Sequence, residues 1–173
     1  MKKLMMIAAM MVAAVSTNAQ VYVGGSLGLN VKSIDGESTT TWSILPEVGY
    51  NLDDNWAVGA VLGYGESGKD DNKRKRFEIS PYARYTAIKL NNINVFLDGT
   101  VSYVNNDNAG AKTNVFGVGI KPGVAVNLDE KLSFVAHFGF LGYENSKPKD
   151  GVATNTFGLS LDNSLAFGLY YNF

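Results

Sequence analysis

Few residues of this chain could carry out bond-making chemistry. The sequence contains no cysteine and one histidine, His137, which excludes thiolate catalysis, disulfides and thiolate metal sites. Ser133 lies four residues before His137, and Asp162 follows later in the chain. A serine, a histidine and a carboxylate are the groups that an acyl-transfer site requires. No Asp/Asn/Gly spacing is typical of a calcium loop, and we expect no metal and no cofactor.

Ion pairing is the second kind of chemistry that the sequence offers. Charged residues interrupt runs that are otherwise apolar or small: Glu47, Arg84, Asp98, Lys121 and His137. Counting back from a predicted turn at 89–93 places Arg84 opposite Asp98, and the same counting across 128–131 brings Lys121 to within one residue of His137. We predict a network in which Arg84 and Lys121 bridge the two carboxylates, with His137 at its edge. Such a network either fills and pins a structure or opens as a gate.

The elements that position these residues have the period of a β-strand. Apolar residues alternate with small or polar ones in eight segments, at about 21–31, 42–52, 56–65, 77–87, 95–103, 116–126, 132–140 and 155–173. Short turns are predicted at 53–55, 89–93 and 128–131, and longer polar loops at 32–40, 66–75, 105–112 and 144–153. No segment after residue 19 has the apolar length of a transmembrane helix. Short turns on one rim and long loops on the other are typical of an antiparallel membrane barrel.

The two faces of these segments indicate which side meets lipid. One face carries Val, Leu, Ile, Phe, Tyr and Trp, while the other carries Gly, Ser, Thr, Asn and most of the charges. Eight strands enclose an interior only wide enough for side chains, so the large apolar face must point outward, a surface that only lipid tolerates. We predict an all-β fold, an eight-stranded antiparallel transmembrane up-and-down β-barrel, closed because hydrocarbon penalises an unpaired sheet edge.

The first residues have the layout of a secretory signal peptide. Lys2 and Lys3 precede an apolar run, and small residues follow up to Ala19. A retained membrane anchor is the alternative interpretation. We predict that 1–19 is cleaved after Ala19 and that 20–173 is one barrel domain. The formal net charge of −1 gives no reason to expect a nucleic-acid partner.

The last segment carries a motif that is specific for destination. Its alternating residues are Leu165, Phe167, Leu169, Tyr171 and Phe173. This run resembles the C-terminal signal of outer-membrane barrel proteins, and the chain after residue 19 resembles the small OmpA/OmpX-like β-barrels of the porin superfamily in Gram-negative bacteria. The resemblance implies recognition of this strand by the barrel-assembly machinery and a place in the outer membrane. It implies little about activity.

Function is therefore weighed among three alternatives. Four further side chains predicted to point inward favour an occluded lumen: Tyr82, Phe96, Leu141 and Tyr143. We expect a monomeric barrel with a structural or surface-interaction role, and keep a narrow channel for ions or small solutes as the first rival. A lipid A-modifying enzyme is the lesser rival, because His137 is predicted to face away from lipid, and we expect no enzyme.

A basic cluster in the predicted loop at 66–75 and the start of the next strand offers a contact with lipid. Its residues are Lys73, Arg74, Lys75 and Arg76. Cations at the headgroup layer can bind phosphate groups. We expect these residues either to be simply solvated or to contact lipopolysaccharide.

Overall fold

The structure is a computed structural model that describes residues 20–34, 37–68, 73–108, 110–149, 151–160 and 166–173. The signal peptide predicted at 1–19 lies outside the described residues. Within the described ranges, no helix has the length and apolarity that a membrane crossing requires. The described strands are β1 (Val21–Ile34), β2 (Glu37–Asn51), β3 (Trp56–Ser67), β4 (Arg74–Leu90), β5 (Ile93–Asn108), β6 (Ala111–Asn127), β7 (Leu132–His137), β8 (Phe140–Pro148), β9 (Thr154–Ser160) and β10 (Ala166–Asn172).

These strands form one antiparallel barrel. Each strand from β1 to β6 pairs with the next in sequence, and β6 pairs with both β7 and β8, which are successive parts of the seventh barrel strand. The eighth barrel strand comprises β9, which pairs with β8, and β10, which pairs with β7. Pairing of β10 with β1, with Tyr22 opposite Asn172, closes the barrel. The predicted eight-stranded antiparallel β-barrel is confirmed.

Side chains alternate between the outer surface and the interior, as β5 illustrates. Leu97 and Val101 are exposed on the outside, whereas Phe96 and Asp98 are buried inside. Large apolar side chains are likewise exposed on the outside of β3, β4 and β6. This distribution of apolar and polar side chains is the reverse of that in a soluble protein and is typical of a barrel surrounded by lipid.

The seventh barrel strand departs from the predicted alternation at a bulge. His137 lies opposite Gly123, but Leu141 lies opposite Ile120, so one extra residue is inserted between them. Gly139 there has a φ of 71°, which glycine adopts readily. The bulge lies opposite Pro122, which has no N–H to donate to the ladder, although its carbonyl accepts a hydrogen bond from the amide of Phe138 at 2.9 Å.

The bulge reverses which side chains after it point into the lumen and which point outward. The sequence-based prediction that Leu141 and Tyr143 point inward is wrong, since both are exposed on the outside. Phe140 instead reaches the interior, where its ring fills the space beside Gly119 and Gly142.

A second bulge keeps Arg84 opposite Asp98. The turn after β4 consists of Asn91 and Asn92 alone, tighter than the predicted turn at 89–93, and Asn91 has a φ of 39°. The register at the turn is therefore one residue from that expected. It shifts back between Thr86 and Ile88, and the predicted pairing of Arg84 with Asp98 is observed.

The predicted long loops are largely strand. β5 and β6 stay paired from Ile93 opposite Val126 to Asn108 opposite Ala111, and β8 and β9 stay paired into the start of the region predicted as loop at 144–153, as far as Ser146 opposite Thr154. A membrane-spanning strand needs only about 9–11 residues, whereas β6 has 17. These hairpins therefore extend beyond the apolar belt as paired polar strands.

Candidate functional site: the ion pairs of the barrel lumen

Arg84 lies at the centre of the lumen and makes a two-pronged ion pair. Its Nε lies 2.7 Å from Asp98 Oδ1 and its Nη2 lies 2.8 Å from Asp98 Oδ2. The same Nη2 lies 3.4 Å from Glu47 Oε1. This fork geometry is the strongest form of a guanidinium–carboxylate contact. The side chains of Arg84, Asp98 and Glu47 are all at most 9% exposed.

Tyrosine hydroxyls complete the coordination of Glu47. Tyr82 donates to its Oε1 and Tyr170 donates to its Oε2. Tyr22 lies 2.5 Å from the Tyr82 hydroxyl, and since the Tyr82 proton points to Glu47, Tyr22 is the donor in that contact. Two carboxylates thus share one guanidinium, and the tyrosines supply the hydrogen bonds that a buried carboxylate otherwise lacks.

Aromatic rings enclose the Arg84 guanidinium on several sides. Its carbon lies 4.0 Å from the centroid of the Phe96 ring, and the rings of Tyr82, Tyr170 and Tyr22 lie at 5.1, 5.4 and 5.8 Å. Such cation–π contacts strengthen when water is excluded. Among the described residues, no buried side-chain nitrogen or oxygen lacks a hydrogen-bond partner.

Glycines make room for these rings. The Phe96 ring occupies the place of a side chain on Gly123, and the rings of Tyr22 and Tyr82 do the same at Gly49 and Gly59. The Gly-rich face predicted to line the interior thus alternates large rings with absent side chains. This packing is what an eight-stranded interior can accommodate.

We call Glu47, Arg84, Asp98, Tyr22, Tyr82, Tyr170 and Phe96 the central cluster. It lies between two cavities of the lumen. The cavity toward the short turns measures about 430 Å³, and Tyr22, Arg84 and Phe96 form part of its wall. The cavity toward the long hairpins measures about 260 Å³ and is bounded by Glu47, Tyr82 and Asp98.

His137 lies at the edge of the central cluster. Its Nε2 is 3.0 Å from Asp98 Oδ2 and 3.5 Å from Arg84 Nη2. Because a carboxylate only accepts hydrogen bonds, Nε2 carries the proton donated to Asp98. Ser133, weighed as a nucleophile, donates to Asn127 at 2.8 Å and lines the cavity toward the short turns. Asp162 lies outside the described residues.

Lys121 does not occupy the bridging position predicted for it. No ion pair of the described residues includes Lys121, and His137 lies opposite Gly123, two residues away. Lys121 instead acts electrostatically on Glu78 and shares the cavity toward the long hairpins with it. The prediction failed because the turn after β6 pairs Asn127 with Ser133 and not with Leu132, which shifts the register that places His137 by one residue.

A second ion pair, which the sequence did not single out, lies farther along the lumen. Arg76 Nη2 is 2.7 Å from Glu78 Oε2, and Ser80 donates to Glu78 Oε1 at 2.8 Å. We call Arg76, Glu78, Ser80 and Lys121 the outer cluster. Arg76 was expected among the cations at the lipid headgroups, and this expectation is wrong, since its guanidinium lines both lumen cavities on this side.

The other residues of that basic run lie at the mouth of the barrel. Lys73, Arg74 and Lys75 are exposed, and Arg74 and Lys75 line a cavity of about 530 Å³ toward the long hairpins. In the last strand, Phe167, Leu169, Tyr171 and Phe173 are exposed on the outside. Leu165 lies outside the described residues. Among the described residues, no group of three acidic or histidine side chains could hold a metal ion.

Sequence reasoning missed two members of the central cluster, Tyr22 and Tyr170. A signal was available, because both lie at even positions, on the small-residue face of strands whose odd positions are apolar. A large ring on that face must enter the lumen. Nothing in the sequence indicated that the two rings stack, with centroids 5.7 Å apart.

A closed barrel with an apolar outside and a polar, ion-paired inside is the architecture of an outer-membrane β-barrel protein. The profile of the outer membrane protein beta-barrel domain matches residues 4–173. The chain belongs to this family. Its membership indicates a location in the bacterial outer membrane.

One solved structure supports the fold. The structure of Neisserial surface protein A (NspA) superposes with a TM-score of 0.53 at 17% identity, covering 88% of this chain and 97% of that one. The translocator domain of the autotransporter NalP from Neisseria meningitidis is also similar, at 12% identity and a TM-score of 0.32, covering 97% and 95% of the two chains. No curated protein is significantly similar to this chain in sequence.

Proposed function

We propose that this protein is a structural, surface-interacting barrel of the outer membrane whose lumen is occluded by the central cluster. The observation that carries the proposal is the position of Arg84, which bridges carboxylates from β2 and β5 between two separate cavities. An ion crossing the lumen would have to separate a guanidinium from Asp98 in a site with little water. Such separation is strongly unfavourable, because it leaves charges buried without partners.

A surface role fits the hairpins that continue past the apolar belt. The β5–β6 and β8–β9 hairpins present paired polar backbone and side chains beyond the membrane. Ordered strands of this kind offer a partner a surface that loses little conformational entropy on binding. His137 is engaged by Asp98 inside the lumen, which argues against a lipid-modifying enzyme.

The rival function is a narrow channel for ions or small solutes. It is favoured by the polar side chains around both cavities, which leave only the central cluster between them. Rearrangement of Arg84 from Asp98 toward another partner would then act as a gate. The two functions differ in whether the wild-type lumen conducts.

The remaining expectations concern assembly and surroundings. We propose export by a signal peptide cleaved after Ala19, recognition of the last strand by the barrel-assembly machinery, and a monomer in the membrane. Lipid and lipopolysaccharide surround the barrel in this proposal. Of the basic run, Lys75 has the strand parity that points to lipid, the same as Phe77 and Ile79 on β4.

Single-channel conductance of the purified protein in planar bilayers tests the proposal. We expect no unitary currents from the wild type and discrete openings from Arg84→Ala, since removing the guanidinium empties the space between the cavities. Arg76→Ala is the matched control, because it removes a lumen arginine from the same strand without touching the central cluster, and it should stay silent.

Steady current in the wild type would contradict occlusion and make the protein a channel. Silence in Arg84→Ala would contradict the assignment of the block to the central cluster, provided that the variant is folded. Tyr170→Phe serves as a second variant, since it weakens the hold on Glu47 while keeping the ring. We expect brief openings from this variant.

A further inference from the structure

Three hairpins repeat one arrangement of four side chains at the long-hairpin rim. Tyrosine and a polar residue two positions later face a second polar residue and a phenylalanine on the returning strand. We call each set a rim quartet: Tyr64, Glu66, Lys75 and Phe77 on β3–β4; Tyr103, Asn105, Asn114 and Phe116 on β5–β6; Tyr143, Asn145, Asn155 and Phe157 on β8–β9. In each quartet the tyrosine is opposite the phenylalanine, and the two polar residues are opposite each other.

The two asparagine quartets have the same hydrogen bonds. Tyr103 and Asn105 both donate to Asn114 Oδ1, at 3.1 and 2.7 Å. Tyr143 and Asn145 both donate to Asn155 Oδ1, at 2.8 and 2.6 Å. The hydroxyl therefore locks the orientation of the second asparagine. Its amide Nδ2 carries two protons, and no hydrogen bond of the described residues uses them.

These quartets lie on the outside of the barrel, at the edge of its apolar belt. On β5 the outward positions are apolar or glycine from Ile93 to Tyr103 and polar from Asn105 onward. The belt spans eleven residues, about the number that crosses a bilayer. Tyr103 and Phe116 thus lie in the interfacial layer, and the free amide of Asn114, an exposed residue, lies among the headgroups.

The chemistry of the asparagine quartets fits a sugar. An amide offers both donors and an acceptor without charge, and the aromatic faces beside it offer apolar area to a ring. Phe157, at 77% exposure, leaves most of its ring available. A phosphate would instead call for cations. The asparagine quartets themselves contain none, although Lys147 lies opposite Asn114 on β8.

From this we propose that the asparagine quartets bind the sugar headgroup of a glycolipid in the outer leaflet. The inference rests on the outer-membrane location and deepens the surface role proposed above. It names the lipid contact of the protein and moves it from the basic run 73–76 to β5–β6 and β8–β9. Two similar sites lie on the same wall of the barrel.

Lipid binding to the purified full barrel tests the proposal. The probes are deep-rough lipopolysaccharide, which keeps the inner sugars, and phosphatidylglycerol, which has a phosphate but no sugar. We expect the double variant Asn114→Ala/Asn155→Ala to bind lipopolysaccharide about fivefold more weakly for each quartet, the effect of losing one or two ordinary hydrogen bonds. Binding of phosphatidylglycerol should not change.

Asn106→Ala is the matched control, since it lies one residue from Asn105 on β5 and faces the lumen at the same height. It should bind both lipids as the wild type does. The second variant pair, Asn114→Asp/Asn155→Asp in 0.5 M salt, keeps the oxygen that accepts from tyrosine and removes the free amide. We expect it to fold as the wild type does and to lose lipopolysaccharide binding.

Unchanged lipopolysaccharide binding in both double variants would overturn the proposal and leave the quartets as a structural rim. Equal loss of both lipids would also overturn it, since recognition would then depend on charge or on the surface as a whole. Neither result bears on occlusion of the lumen, which conductance measures separately.

Discussion

Arg84 and Arg76 project from the same face of β4 into the same lumen, eight residues apart. Arg84 is 9% exposed and holds Asp98 with two nitrogens, whereas Arg76 is 53% exposed and holds Glu78 with one. Tyrosines and Phe96 surround the first guanidinium, and open cavity surrounds the second. The same residue type thus serves as a packed part of the core in one place and as a wetted side chain in the other.

The two clusters differ in the free energy that is lost when the arginine is separated from its carboxylate partner. In the outer cluster, Arg76 is exposed and Glu78 is only 7% exposed, but Ser80 and Lys121 stay beside Glu78 when Arg76 is lost. We therefore expect this ion pair to contribute roughly 0–1 kcal/mol. In the central cluster, loss of Arg84 leaves Glu47 and Asp98 buried without a cation, a cost of about 3–5 kcal/mol. Arg84 and Arg76 look alike in the sequence, but they contribute differently to the stability of the barrel.

The largest expected effect is on stability when each arginine is removed. Arg84→Ala should lower the free energy of unfolding by about 3–5 kcal/mol, and Arg76→Ala by at most about 1 kcal/mol. Urea unfolding in lipid vesicles, followed by the fluorescence of Trp42 and Trp56, measures both. Arg84→Lys should fall between them, since an ammonium cannot make the two-pronged contact. Equal losses for the two alanine variants would contradict the distinction between the clusters.

An intermediate effect is expected at the glycines. A methyl group on Gly59 would strike the Tyr82 hydroxyl and lie 2.7 Å from the Val48 carbonyl oxygen, so Gly59→Ala should destabilise the barrel by about 1–3 kcal/mol. On β9, a methyl group on Gly158 would meet nothing within 4 Å. Gly158→Ala should change stability by less than about 0.5 kcal/mol. The same urea experiment measures both variants. An equal loss of unfolding free energy at Gly158 and Gly59 would contradict the difference in packing around the two glycines.

The smallest effect concerns acid and the short turns outside the membrane. Hydrogen bonds from the amides of Asn55 and Trp56 hold the pKa of Asp53 below its ordinary value, and those from Lys131 and Leu132 lower the pKa of Asp129. A lowered folded-state pKa means that the stabilisation is present above the ordinary value near 3.8 and is lost as the pH falls through the lowered one. Asp53→Asn/Asp129→Asn should therefore flatten the loss of stability below about pH 4.

Denaturant midpoints at several pH values between 6 and 2.5 measure this effect. Asp54→Asn is the control, because its carboxylate accepts no hydrogen bond from the described residues, and it should leave the acid profile of the wild type. An unchanged profile in the double variant would place the acid-sensitive groups elsewhere in the barrel.

Much of the fold was predictable because its cause is local. A strand buried in lipid on one side needs apolar residues at every second position, so Leu97 and Val101 marked the outside of β5 without any knowledge of their neighbours. The short hairpin turn also placed Arg84 near Asp98, since only fourteen residues separate them. Over such distances, an error of one residue at the turn was corrected by the bulge near Thr86.

Longer-range features were not predictable in this way. The bulge at Gly139 lies opposite Pro122 in the neighbouring strand, and it turned Leu141 and Tyr143 to the outside. Lys121 lies opposite Asp98 on β5, yet it acts on Glu78, because the direction of a long side chain depends on its surroundings in the lumen and not on register alone. One inserted residue moves every later side chain of the strand to the opposite face of the sheet. The sequence of one strand alone does not indicate where such an insertion occurs.

The sequence by itself determined the period of the strands and the face that meets lipid, because both follow from the order of apolar and small residues along one strand. The family is shown by the profile match over residues 4–173. Only the tertiary structure decided which polar groups meet in the lumen. Tyr82 and Tyr170 lie 35 and 123 residues from Glu47 and still donate to the same carboxylate. Barrel closure between β1 and β10 and the stagger of the strands set the height of each side chain, and these are properties of the whole sheet.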